Sequence, residues 1–437
     1  MEYIYVTTGK QRTSSAIDYE AVIYKLVKNC LFSLIGGLNG PNLGLKSLGD
    51  YTYQLKKYTD GYLADITRYA DSGGYSIIKG NVEPKDIDLF IDSYMSFFEY
   101  DQRHYDYIFS LDIPFSLKYS KLNTKEHIYE FNKKSMVKQL EVISRHNHLK
   151  QKVFFVWQFK MSSLYEIWRC LVDELNLNRI IKNRAIGGMV SLRKLTKIKF
   201  SPFTAITYRC LLDYLMEYDD DKCFKLHFLG INLREDRFHI LFLEKLFKKY
   251  MPDCTIIFTY DSIAYVDQVW HTKDLSIFDF SDDNELSLYP GVGQLPSELI
   301  NKVYQDSNAV EFINAEIDRR NSKQNLIDSS SFAPLNIYSN LKLDCFFEYI
   351  IDQYELIEVF YRSNSTTVIA ATFRSIMKEL SAKYPDVFVP NLIKNILENL
   401  EYTAIYHNWF IKTRNPQTLE YHIEKYIKCI GCNDILV

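Results

Sequence analysis

The sequence predicts an α/β protein: a (β/α)8 TIM-type barrel over residues 1–285 and an all-helical region over 286–437. Two patterns carry the prediction. Up to about residue 285, short β-branched or aromatic runs alternate with amphipathic stretches of helical spacing, the pattern of parallel βαβ units. From about residue 290 that rhythm stops and only helical spacing continues. A chain of 437 residues accommodates one barrel of roughly 250 residues with an appendage.

In chain order, the strand candidates are CLFSLIGG (30–37), ITRYADSGG (66–74), YIFSLDIP (107–114), KVFFVWQF (152–159), NRAIGGMV (183–190), KLHFLGIN (225–232) and CTIIFTYDS (254–262). LSIFDF (275–280) is the candidate for the eighth. Between them, PKDIDLFIDSYMSFFEYD (84–101) and EDRFHILFLEKLFKKY (235–250) place apolar residues at helical spacing. An open doubly wound sheet is the competing architecture. It calls for a stronger phosphate-binding glycine motif after the first strand than LIGGLNGPN (34–42). The acidic loop FSDDNE (280–285) is the expected boundary. Beyond it, PSELINKVYQ (296–305), NAVEFINAEIDRR (308–320), CFFEYIIDQYELIEVFYR (345–362), TTVIAATFRSIMKELSAKY (366–384) and VPNLIKNILENLEY (389–402) read as helices.

Composition narrows the function classes. Thirty-four Tyr and 28 Phe exclude wholesale disorder, and 16 Gly with 11 Pro exclude a fibrous or low-complexity chain. No apolar run approaches the ~20 residues that span a bilayer. MEYIYVTTGKQRTSS lacks the basic and apolar regions of a signal peptide, so the expected compartment is the cytoplasm, a host's if the gene is a phage's. Eight Cys in this length fit a reducing compartment better than a disulfide framework. Net charge is −3, unevenly spread: residues 101–200 hold 19 Lys and Arg against 9 Asp and Glu. That excess suits either a polyanion-binding surface or a pair of complementary solvated faces.

Barrel active sites lie at the C-terminal ends of the strands. Three carboxylates occupy such ends: Asp71 after ITRYA, Asp112 after YIFSL and Asp261 after CTIIFTY, with Gln158 in the corresponding place after VFFVW. Gly73, Gly74, Gly187, Gly188 and Gly230 would admit a ligand close to the backbone. A single strand-end Asp also serves as a helix cap or loop residue, so the residue types alone do not name a reaction.

The words around these residues resemble the tRNA-guanine transglycosylase superfamily. DSGGY (71–75) is similar to its DSGG-[FY] signature, SLDIP (110–114) to its base-recognition Asp segment and VWQF (156–159) to its Gln segment. AIGGMV (185–190), FLGI (228–231) and TYDS (259–262) resemble its Gly-Gly segment, its Met/Leu-Gly strand end and its nucleophile segment, in the same order. The resemblance covers about residues 30–265. It implies base exchange at a guanosine: Asp261 attacks the anomeric carbon to form a glycosyl-aspartyl intermediate, and Asp71 serves as general acid, then base. It further implies that Asp112, Gln158 and the backbone of Gly187 and Gly188 read the base edge, beside Ser72 and Gly230. Tyr75 and Leu229 would sandwich the ring.

Two departures change the expected substrate. The continuation DSIAYVDQVW (261–270) lacks the family's Pro-Thr-Arg element, which grips the anticodon loop. Residues 262–344 contain no Cys, so the family's CxCxxC…His zinc site cannot be built there. Cys429 and Cys432, with His422 or His407, form only a weak substitute, and no cofactor is expected. Retained site words with a lost tRNA grip resemble the DNA-modifying, DpdA-type branch. The expected partners are therefore DNA and a 7-deazaguanine base, bearing a cyano, amidino or aminomethyl group. Arg193, Lys194, Lys197 and Lys199 in RKLTKIK are candidate phosphate contacts, and a flipped or single-stranded base is implied. Action on tRNA with a different grip, and a non-catalytic nucleic-acid-binding subunit of a larger assembly, are the alternatives.

Overall fold

A computed structural model describes residues 1–7, 18–33, 65–73, 87–100, 102–112, 124–158, 162–187, 202–217, 222–262, 265, 275–322, 329–363, 365–413 and 421. Eight parallel strands close into a barrel in sequential order. They are β1 (Glu2–Thr7), β2 (Asn29–Ser33), β3 (Thr67–Asp71), β4 (Tyr107–Phe109), β5 (Val153–Gln158), β6 (Asn183–Gly187), β7 (Cys223–Phe228) and β8 (Thr255–Asp261). The main helices between them are α1 (Tyr19–Leu26), α2 (Ile87–Tyr100), α3 (Lys125–Arg145), α4 (Ser162–Glu174), α5 (Pro202–Glu217) and α6 (Arg234–Tyr250). The barrel expected from the alternating rhythm is thus present, and the open sheet is not.

One strand differs from expectation. LSIFDF is not the eighth barrel strand: Ser276–Phe280 forms β9, paired antiparallel with β10 (Leu286–Pro290) in a separate two-stranded sheet. The barrel is closed instead by β1, which pairs with β2 at Tyr5–Cys30 and with β8 at Ile4–Asp261. EYIYVT alternates, with Tyr3 and Tyr5 in the layer against the helices and Ile4 in the barrel interior. Alternation is a fainter signal than an unbroken apolar run, which is why this strand escapes a search for such runs.

Side chains fill the barrel. Ile4, Leu31, Tyr69, Phe109, Phe154, Val156 and Ala185 form its interior cluster, with Val6, Tyr107 and Leu229 packed against it. Tyr69 stacks on Tyr107 at 4.9 Å, and Lys225 closes the N-terminal end, its Nζ donating to the Tyr107 hydroxyl at 2.6 Å. A filled interior leaves the C-terminal mouth as the place for a ligand.

The later helices are α7 (Ser297–Tyr304), α8 (Ser307–Asn321), α9 (Ala333–Gln353), α10 (Leu356–Arg362), α11 (Thr366–Lys383) and α12 (Pro390–Thr413). Helix α9 packs against α6, which precedes β8, and against α1, which follows β1. It therefore stands where a barrel helix after β8 would stand. A buried network seals this contact. Arg237 on α6 pairs through Nε with Asp344 on α9 at 3.0 Å, and Asp344 also accepts from the Tyr260 hydroxyl on β8. The expected boundary after residue 285 falls between β9 and β10, which pair with each other.

The outer face of α6 is apolar as well. Phe238, Leu241, Phe242 and Leu246 meet Phe346, Phe347 and Ile350 of α9 and Phe373 and Met377 of α11 in one cluster. Helix α12 packs on α5, α6 and α11 and brings His407 into an aromatic pocket. The Tyr208 hydroxyl lies 3.0 Å from His407 Nδ1, and the ring meets Tyr250 edge-on at 4.1 Å. Burial pushes the His407 pKa down to about 3. An unfolded His titrates near 6.5, so between those values the unfolded state binds the extra proton and stability falls as pH falls. We expect His407 to remove about 2 kcal/mol of stability between pH 7 and pH 5. Urea titrations of wild type and His407→Phe at both pH values check this; equal pH dependence in the two proteins would refute it.

Candidate active site

Among the described residues, Asp71, Asp112, Leu229, Gly230 and Asp261 stand at or just beyond the C-terminal ends of barrel strands. Asp71 is the last residue of β3, where it pairs in register with Ser33. Side chains alternate along a strand, so Asp71 shares the face of Tyr69, two residues earlier in the barrel interior. It is half-buried, Ser72 behind it is buried, and Gly73 turns the chain away at φ +77°. A positive φ there suits glycine, which has no Cβ to clash.

Asp112 is set by helix α3 rather than by sheet pairing. Strand β4 is only three residues long. The Ser110 hydroxyl continues its pairing by accepting from Val156 N at 2.9 Å. Gln139 then clamps the next residue, accepting from Leu111 N at 3.0 Å and donating to Leu111 O at 3.1 Å, and Ser135 donates to the same carbonyl. Asp112 follows directly and is buried. The hydroxyl of Tyr94, on α2, donates to Phe109 O. Burial pushes its pKa well up, and the charges of Asp71 and Asp112 push it further.

Gln158 ends β5 and pairs in register with Gly187, the end of β6. Leu229 continues from β7, its N–H donating to Ile186 O at 2.9 Å, and its side chain packs on the barrel interior. Gly230, at φ +74°, makes the turn after it. Tyr75, Gly188, Met189, Val190, Arg193, Lys194, Lys197 and Lys199 lie outside the described residues, as do the side chain of Gln158 and residues His422, Cys429 and Cys432.

Asp261 has the most defined surroundings. It ends β8, and its side chain is 10% exposed. Its Oδ1 accepts from the Gly230 N–H at 2.9 Å and lies 3.0 Å from Nε2 of His227. Among the described residues nothing hydrogen-bonds to Oδ2. The carboxylate thus has one oxygen tethered by two groups, at the same end of the barrel as Asp71 on β3. Behind it, Tyr3 donates to Ser262 O at 3.1 Å and packs between Tyr260 and Tyr265, with ring centroids 5.4 and 5.2 Å away. That anchors the chain on the C-terminal side of Asp261.

His227 is the residue the sequence reading did not single out. It is fully buried within β7, its ring 4.7 Å from that of Phe109, and its Nδ1 lies 2.8 Å from the Thr259 hydroxyl. The available signal was parity: His227 is two residues before Leu229, so both point inward from the same strand.

Several cations of the basic stretch are engaged on the barrel's flank. Lys134 and Arg145 on α3 pair with Asp88 and Glu99 on α2, at 2.6 and 2.9 Å. Lys125 and Lys133 pair with Glu166 and Glu174 on α4, both at 2.5 Å. These cations meet carboxylates of neighbouring helices. Among the described residues, no group of three or more His, Cys, Asp or Glu is arranged to hold a metal ion. No helix among them is long and apolar enough to cross a membrane.

No family model and no curated protein matches this chain. The reading of the site therefore rests on its geometry and on the sequence words around it.

Proposed function

We propose that the chain is a nucleic-acid guanine transglycosylase that exchanges a guanine in DNA for a 7-deazaguanine base. The observation that carries the reading is Asp261: a strand-end carboxylate whose Oδ1 is held by His227 and Gly230, on a barrel whose strands β3 and β4 bring Asp71 and Asp112 to the same end. Asp261 Oδ2 attacks the anomeric carbon while the bond to guanine N9 breaks, and the departing electron pair is neutralised by a proton from Asp71. The incoming base loses its N9 proton to Asp71 and attacks the same carbon, returning the electron pair to Asp261. Inversion at each step leaves the configuration retained, the logic of two-carboxylate retaining glycosidases.

In this reading Asp112 accepts from the N–H edge of the base, and Gln158 with the Gly187–Gly188 backbone meets its carbonyl edge. Leu229 covers one face of the ring and Tyr75 the other. A guanine must leave its stack to reach a mouth set among strand ends, so flipped or single-stranded DNA is the substrate form. The reading requires no cofactor. Arg193, Lys194, Lys197 and Lys199 supply phosphate contacts, which makes binding weaken with salt.

Base exchange by the purified protein tests the proposal, with duplex DNA, single-stranded DNA and unmodified tRNA offered in parallel. Labelled guanine and labelled 7-deazaguanines serve as incoming bases. The expected result is label in DNA. Label in tRNA alone would move the activity to tRNA, and no label from folded protein would favour a nucleic-acid-binding subunit of a larger assembly.

A further inference from the structure

Accepting the nucleophile role just proposed for Asp261, we infer that His227 is a positioning residue that speeds release of the glycosyl group in the second half-reaction. An ionised carboxylate only accepts, so the His227 Nε2 that lies 3.0 Å from Asp261 Oδ1 carries the proton. Nδ1 lies 2.8 Å from the Thr259 hydroxyl, which can donate to it or accept from it. The carboxylate, which only accepts, fixes the proton on Nε2, and the buried Thr259 holds the opposite edge of the ring away from water. The 4.7 Å contact with Phe109 holds the ring plane.

Gly230 N–H, at 2.9 Å, is a second donor to the same oxygen. Two donors on the non-attacking oxygen act differently on the two steps. When Oδ2 bonds to the anomeric carbon, Oδ1 becomes the carbonyl oxygen of an ester and loses most of its charge. When the incoming base attacks that carbon, the bond from carbon to Oδ2 breaks and its electron pair returns to the carboxylate. Charge builds again on Oδ1, where Nε2–H and Gly230 N–H already point. Donors aimed at developing charge lower the barrier of the step that develops it. In the first step they stabilise the starting carboxylate and so restrain accumulation of the intermediate.

The test separates the half-reactions in His227→Phe, His227→Gln and Thr259→Val, each shown folded by its melting curve. Covalent adduct is trapped by rapid denaturation without incoming base, and its release is then timed after adding a labelled 7-deazaguanine. Loss of one charge-assisted bond predicts release roughly ten- to a hundredfold slower in His227→Phe, with adduct formation changed far less. In His227→Gln the side-chain amide replaces Nε2–H and release recovers to within a few-fold. Thr259→Val keeps the ring and loses the contact that holds its Nδ1 edge, and it slows release in the same direction by less. Equal slowing of both steps, or unchanged release in His227→Phe, overturns the inference while leaving Asp261 as nucleophile. A wild-type protein that forms no adduct on Asp261 overturns the reading beneath it.

Discussion

Asp261→Asn is expected to reduce base exchange by roughly 10^4- to 10^6-fold, the scale on which loss of a covalent nucleophile is felt. Asn is nearly isosteric, and its carbonyl oxygen can still accept from Gly230 N and His227 Nε2, so the fold and the turn after β7 are preserved. What is lost is the lone pair that Oδ2 offers to the anomeric carbon. The loss corresponds to about 5.5–8 kcal/mol of transition-state stabilisation. The measurement is label exchange together with trapping of the protein–nucleic-acid adduct, which is expected to vanish. Exchange at near wild-type rate in Asp261→Asn would remove the covalent mechanism altogether.

Asp71→Asn is expected to slow exchange by roughly 10^2- to 10^4-fold, the usual worth of a positioned general acid or base. Its place supports the role: Asp71 is half-buried at the end of β3, on the strand face that Tyr69 presents to the barrel interior. The variant distinguishes an acid from a merely structural carboxylate through the leaving group. A guanine methylated at N7 carries a positive charge and departs without needing a proton. Adduct formation from DNA carrying that base is expected to be nearly insensitive to Asp71→Asn, while ordinary guanine departs slowly. Equal loss with both substrates would assign Asp71 to binding or folding instead.

The Asp261 and Asp71 variants bear on residues visible in the sequence, and His227 bears on one that was not. Asp71, Asp112 and Asp261 are legible because each ends an apolar run, and a polar residue at the end of a buried strand is conspicuous. His227 lies inside such a run, KLHFLG, where the strand pattern gives no reason to separate it from an ordinary core residue. Its meaning depends on Asp261 and Gly230, 34 and 3 positions away in the chain. Only parallel pairing of β7 with β8, setting His227 opposite Thr259, brings those atoms together.

The same distinction applies to charge. Counting Lys and Arg located the excess in residues 101–200, yet a count carries no direction. The structure sends Lys125, Lys133, Lys134 and Arg145 across to acids on α2 and α4, a choice made by helix packing. The later helices follow suit. Their existence was readable from helical spacing. The role of α9, packed between α1 and α6 with Asp344 reaching Tyr260 beside Asp261, was not.

By itself, then, the sequence determined the parallel barrel class and the strand ends that bear carboxylates, because alternation of buried strands with amphipathic helices is a local, periodic property. The tertiary structure alone decided which strand closes the barrel, what holds Asp261 and Asp112 in place, and which cations face acids. Those depend on contacts between residues distant in the chain, where register and packing select the partner and no local pattern records the choice.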